Sequence, residues 1–151
     1  MQLFIEMCLF LLIAAPLSIM IHEAGHATVA YFCGADEIVI SIGIGKKIAY
    51  LRFAGFSLII RLYWISGGST SGVEKPGLKH WQRAAVSLGG PMASGIMALL
   101  FYVIHVPVFQ FTGELTFLFN LWIACINFLP FKIGNLESDG YSAISRLMAK
   151  E

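Results

Sequence analysis

Charge is what this sequence has least of: Asp, Glu, Lys and Arg make up 13% of its 151 residues, against about 25% in soluble domains. Residues 7–21 carry no formal charge, and neither do residues 84–106. Apolar residues reach 58%, with a mean hydropathy of +0.77. These proportions favour an integral membrane protein over a soluble one, in one domain, residues 1–151. A net charge of +1 gives no bulk attraction to nucleic acid. Cysteine is scarce too. Cys8, Cys33 and Cys125 form no CxxC pair and are odd in number, which argues against a disulfide framework and against a cysteine metal site. They read as small apolar residues in helices. Repeats and low-complexity tracts are lacking. The N-terminus also lacks the basic start of a signal peptide; its first charge is Glu6, and the first apolar run reads as a retained helix.

Three segments are expected to span or enter a bilayer: residues 3–32, 84–106 and 115–131. Pro16 is expected to kink the first, and Gly34 to stop it. The third holds Asn120 and Asn127, which inside a membrane are either interhelical glue or functional. Lys46, Lys47, Arg52, Arg61, Lys75, Lys79 and Arg83 all lie between the first and second segments. Lys132, Arg146 and Lys150 follow the third, and residues 107–114 have no basic residue. The positive-inside rule then places the N-terminus outside and the basic loops in the cytoplasm. The expected location is the cell membrane of a prokaryote, crossed several times.

Between residues 35 and 68, β-branched and aromatic residues punctuated by Gly43, Gly45 and Gly55 predict two to four short strands. Such a sheet would lie at the membrane surface. It could bind an extended peptide by strand addition, or merely pack on the helices. Residues 141–150 have the spacing of a short amphipathic helix, with Ile144, Leu147 and Met148 on one face. The expected fold is therefore a mainly α membrane protein with three transmembrane helices, a small membrane-associated sheet and an amphipathic C-terminal helix.

The chemistry concentrates in His22-Glu23-Ala24-Gly25-His26, near the end of the first apolar run. Histidines four apart share one helix face and can offer two nitrogens to one zinc ion, with Glu23 beside them as a base. Two histidines and a glutamate are costly on a lipid-facing helix, and a metal compensates them. A catalytic zinc needs a third protein ligand and an open position for water. The candidates are His80, His105, Glu114, Glu137 and Asp139. Glu114 and His105 fall near the outer side, away from the motif, and nothing around His80 marks it. Asp139 is on the correct side and precedes Gly140, which permits a tight turn; Glu137 is next in order.

Three motifs in sequence carry a resemblance: HEAGH at 22–26, Gly89-Gly90-Pro91 in the second span, and Asn127 to Pro130 followed by Asp139-Gly140. Together the chain resembles the site-2 protease family of intramembrane zinc metalloproteases. The resemblance covers most of the chain and implies a three-helix core of nearly minimal size. It implies His22, His26 and Asp139 as ligands of one zinc ion per chain, Glu23 as catalytic base, and a sheet that binds substrate. Ser94 stands where that family often has asparagine, and its hydroxyl could still donate a hydrogen bond. The interval from Pro130 to Asp139 is longer than in many relatives, so Asp139 is expected to reach the metal from a loop or re-entrant turn.

In such a site Glu23 would take a proton from zinc-bound water and pass it to the leaving amine. Asn127 is a candidate oxyanion donor; its other reading is helix-helix glue. Gly89, Gly90, Ala93 and Ser94 read as close-packing residues. The expected partners are the bilayer and a membrane-spanning or membrane-associated peptide, with a regulatory partner or homo-oligomer left open. A non-proteolytic membrane protein of the same fold that binds a peptide or partner is the competing reading, and an intact Glu23 argues against it. Three spans and one polar cluster leave little for a transport path, which disfavours a metal transporter or immunity protein.

Overall fold

The computed structural model describes residues 1–53, 55–71, 78–104, 109–134 and 136–149. It is mostly helical. Three helices, Gln2–Phe32, His80–Val103 and Gln110–Phe128, are long and apolar enough to cross a membrane. The first comprises α1 (Gln2–Leu9), a π-helical segment (Phe10–Ala14) and α2 (Ala15–Phe32). Pro16 has no N–H to offer the carbonyl one turn before it. Where the sequence suggests a kink, the helix runs through a π-helical segment just upstream. α2 ends as a Schellman motif: the Gly34 N–H donates to the Tyr31 carbonyl and the Ala35 N–H to the Ala30 carbonyl. Gly34 takes the required positive φ of 89°, as the sequence suggests.

α3 (His80–Val103) begins earlier than residue 84. Gln82 explains the difference, because its side chain accepts the Lys79 N–H and caps the first turn. The expected last residues of this span, 105 and 106, lie outside the described residues. α4 (Gln110–Phe128) also begins earlier than expected, at 110 rather than 115. Glu114 is held by Gln110 one turn before it. Glu6 on α1 accepts the Thr112 N–H at 3.0 Å, satisfying a donor at the start of α4. α4 stops at Phe128 because Leu129 precedes Pro130 and is extended, with ψ of 129°. Asn120 is fully buried and donates to Ser18 on α2 and to the Thr116 carbonyl; it is the interhelical glue expected of an intramembrane asparagine.

The β-rich region forms two strands of 16 residues, β1 (Ile38–Phe53) and β2 (Phe56–Ser71), instead of several short ones. Each pairs with the other more than once. Ile38 through Ile42 run parallel to Phe56 through Ile60, and Val39 through Ile42 run antiparallel to Ser71 through Gly68. Lys47 through Phe53 fold back on Arg61 through Phe56. Two strands thus make a four-segment sheet with Gly68–Ser71 at one edge. The bend in β1 needs positive φ at Gly43 and Gly45 (83° and 91°). Ile38 faces inward and joins Ala27, Ala30, Ala35 and Val86 in the core, so the inner half of the sheet is clamped to α2.

After α4 come a two-residue β3 (Lys132–Ile133), an antiparallel β4 (Leu136–Glu137) and α5 (Asp139–Met148). Lys132 and Glu137 close this small hairpin with an ion pair at 2.6 Å, which raises the Lys132 pKa and lowers that of Glu137.

Candidate metal centre

α2 and α3 approach closely because neither has a side chain at the crossing. A Cβ on Gly89 would lie 2.6 Å from the Gly25 carbonyl oxygen, and one on Gly25 would strike Gly89 and Ala93. Gly89 and Ala93 therefore act as the packing residues expected. Gly90 differs: its Cβ would lie 2.7 Å from His22 Nε2 and collide with the His26 ring. Glycine there leaves space between the two histidines.

His22 and His26 sit one turn apart on α2, rings nearly perpendicular with centroids 5.0 Å apart. Asp139 arrives from α5. Its Oδ2 is 3.2 Å from His22 Nε2 and its Oδ1 is 3.5 Å from His26 Nε2. Ligands about 2.1 Å from a tetrahedral zinc stand roughly 3.4 Å apart, so these three side chains could hold that ion. Burial opposes ionisation of Asp139, but hydrogen bonds from His22 and His26 hold its carboxyl below the usual carboxylate range.

The second nitrogens are also placed. His26 Nδ1 is 2.8 Å from the Val86 carbonyl oxygen. A carbonyl only accepts, so this contact keeps a proton on Nδ1 and leaves Nε2, which faces Asp139, as the nitrogen that a metal would take. His22 Nδ1 lies 3.0 Å from Ser94 Oγ, and Ser94 is completely buried. Ser94 is thus a hydrogen-bond partner of a candidate ligand as well as a small residue buried between the helices. Thr70 is a further residue that sequence reasoning missed. Its hydroxyl is 2.7 Å from Glu23 Oε2, reaching over from the edge of β2. A Cβ on neighbouring Gly68 would lie 2.7 Å from Glu23 Cγ, so the strand rests directly on this glutamate.

The long interval before Asp139 is resolved by the hairpin. The Ser138 N–H donates to the Phe131 carbonyl, and the Phe131 N–H donates to Ser138 Oγ. The Ser138 hydroxyl donates to the Leu129 carbonyl and accepts from the Tyr141 N–H, capping α5. Residues 131 and 138 are therefore neighbours, and β3 and β4 loop out between them. Asp139 reaches the histidines as the first residue of a helix, not from a loop or re-entrant turn. Gly140 is helical rather than a tight turn; a side chain there would collide with the Phe128 carbonyl.

His22, Glu23, His26, Asp139 and Asn127 line one cavity of about 280 Å³, together with Thr70, Ser87 and Arg146. Asn127 donates to the Ile123 carbonyl on its own helix at 3.0 Å. Pro91 removes the helical donor of the Ser87 carbonyl at this cavity. The other candidate ligands lie elsewhere. Glu137 is engaged by Lys132, Glu114 by Gln110, and His80 opens α3 outside the three-residue cluster. His105 lies outside the described residues. A larger apolar groove of about 690 Å³ runs between Leu9, Ile13, Phe101 and Phe117, and among the described residues Glu114 is the candidate ligand that lines it.

An HExxH helix met by a distant carboxylate, among helices apolar enough to cross a membrane, is the arrangement of a membrane metallopeptidase. Residues 10–129 match peptidase family M50, and the chain belongs to that family, the site-2 proteases. The matched stretch ends before Asp139, so the case for that residue rests on geometry. Two curated relatives, both provisionally named zinc metalloproteases, are similar over part of their length. One, from Helicobacter pylori, is 39% identical over 32% of this chain and 14% of its own. The other, from Agrobacterium fabrum, is 28% identical over 62% of this chain and 31% of its own. The chain thus spans less than a third of the length of these relatives.

Proposed function

We propose that the chain is a zinc-dependent endopeptidase that hydrolyses peptide bonds of membrane-spanning or membrane-associated substrates. The observation that carries this reading is the convergence of His22, His26 and Asp139, at 3.2 and 3.5 Å, in one cavity with Glu23. These three residues would hold one zinc ion. When bound, zinc lowers the pKa of a water toward about 7 and polarises a carbonyl. The Glu23 carboxylate, beside the three ligands, is the group that would accept a proton from the attacking water and return it to the leaving amine. Thr70 holds the Glu23 carboxylate in position through its hydroxyl. Asn127 has a second amide N–H beyond the one given to Ile123 and supplies it to the oxyanion.

A helical substrate hides its carbonyls, so it must unwind before cleavage. The Gly68–Ser71 edge, next to Glu23, receives the unwound segment as an added strand. Residues 1–151 work as one domain with the N-terminus outside and the cavity toward the cytoplasm, in the cell membrane of a prokaryote. The test uses purified protein and a panel of transmembrane peptides. Glu23→Gln keeps its zinc and loses cleavage, and Asp139→Asn loses zinc. Equal cleavage by wild type and Glu23→Gln removes the mechanism.

A further inference from the structure

The face of the sheet turned away from α2 sets Ser41, Arg61, Ser69 and Ser71 among Val39 and Ile59, whereas the face against α2 carries Ile38 and Ile40. Side chains alternate along a strand. Gly68 and Thr70 meet Glu23 on the inner side, so Ser69 and Ser71 point outward. Across the sheet, Ser69 pairs with Ser41 and Ser71 with Val39. Arg61 completes this outer face. Its Nε donates to Ser41 Oγ at 3.0 Å, and its Nη1 donates to the Gly45 carbonyl at 2.9 Å. The positive-φ bend at Gly43 and Gly45 brings that carbonyl within reach.

A guanidinium has five N–H donors, and these two bonds use two. Among the described residues no carboxylate pairs with Arg61, unlike Arg52, which Glu37 partners. The Ser41 hydroxyl accepts from Arg61 and keeps its own proton free to donate. Arg61, Ser41, Ser69 and Ser71 line a cavity of about 450 Å³. Ser69 also lines the cavity of the candidate metal centre. The two spaces therefore adjoin at the sheet edge.

We propose that this outer face is a subsite for an anionic side chain of the peptide substrate, with Arg61, Ser41 and Ser69 as its donors. The proposal rests on the peptidase reading above and adds a sequence preference to it. A strand added at Gly68–Ser71 would point alternate side chains to the outer face. An acidic residue at those positions would lie over Ser69 and reach toward Arg61. The added strand is about 4.8 Å from β2, and Ser41 is one strand further in. Glutamate, longer by one methylene, spans that gap better than aspartate.

The test uses full-length protein in zwitterionic detergent and a transmembrane peptide series in which one Gln at a time, flanking the cleaved bond, is changed to Glu. The expected result is a Glu/Gln ratio in kcat/KM of roughly three to ten, the size of a half-exposed ion pair with added hydroxyl donors. It recurs at every second position on one side of the bond. In Arg61→Gln the ratio falls to about one, and in Arg61→Lys it is partly restored. Because Arg61 also ties the bend in β1, Ser69→Ala gives a second reading and lowers the ratio without touching that tie. Peptide binding to Glu23→Gln, followed by fluorescence anisotropy, scores the subsite without cleavage. A wild type that cuts no peptide overturns the peptidase reading, while the anisotropy ratio still judges the subsite. A ratio of one throughout, or a preference that survives Arg61→Gln, overturns the subsite. So does an Arg61→Gln variant that loses only retention on phosphatidylglycerol vesicles, which would assign the site to a lipid phosphate.

Discussion

Two residues outside the HExxH motif, Ser94 and Thr70, touch its side chains and make separable predictions. Ser94 is buried against His22 Nδ1, and partners of this kind orient a metal-binding imidazole. Ser94→Ala is expected to weaken zinc binding about 10- to 100-fold, measured by competition with a chromogenic chelator. Thr70 touches Glu23 instead. Thr70→Val is expected to lower kcat while zinc affinity stays within about twofold of wild type, since no candidate ligand loses a partner. Equal loss of zinc in both variants would falsify this division of roles. The histidines and Glu23 were legible in the sequence because helix periodicity fixes their relation locally. Asp139 was legible because charge placement set it on the same side of the membrane. The partners of Ser94 and Thr70 were not, since they lie 72 and 47 residues away and meet them only when α3 and β2 pack on α2.

The elements divide along the same line. Long uncharged runs mark the helices directly, and their boundaries moved where a polar group found a partner: Gln82 for the start of α3, and Gln110 with the sequence-distant Glu6 for the start of α4. The double pairing of β1 and β2 was not legible, because it depends on where Gly43 and Gly45 bend one strand back across the other. The hairpin between Phe131 and Ser138 was equally hidden in a stretch that reads as an overlong approach to Asp139. Its geometry makes it dispensable for the cradle. Ser138 bonds both to Phe131 and to Leu129, so Asp139 is fixed by the residues flanking the hairpin, not by the hairpin itself. Replacing residues 132–137 with a two-residue Asn-Gly turn is expected to leave zinc affinity within about threefold of wild type. Ser138→Ala removes the α5 cap and is expected to cost about 1 kcal/mol of stability, read by thermal unfolding in detergent. If the shortened chain loses zinc, the hairpin itself positions Asp139.

At the scale of the whole molecule, the first helix is tied to the rest at both ends by polar contacts. Near its start, Glu6 holds the N-terminus of α4. Near its end, His22 and His26 meet α3 and α5. Three crossings would separate these ends by about 30 Å of hydrocarbon, with Gln110 and Glu114 on the Glu6 side. The basic residues follow the other end: Lys46, Lys47, Arg52 and Arg61 are in the sheet packed on α2, and Arg146 lines the cavity beside Asp139. Keeping cations on the cytoplasmic side avoids translocating them, so by the positive-inside rule this distribution would orient the cavity toward the cytoplasm, as proposed. Cysteine labelling tests that orientation directly. With Cys8, Cys33 and Cys125 changed to serine, single cysteines are placed at two exposed positions, Glu114→Cys and Lys47→Cys. A membrane-impermeant maleimide applied to spheroplasts is expected to label Glu114→Cys at once and Lys47→Cys only after permeabilisation. The reverse order would put the cavity outside the cell, and its substrates would then have to be sought on the outer face of the membrane.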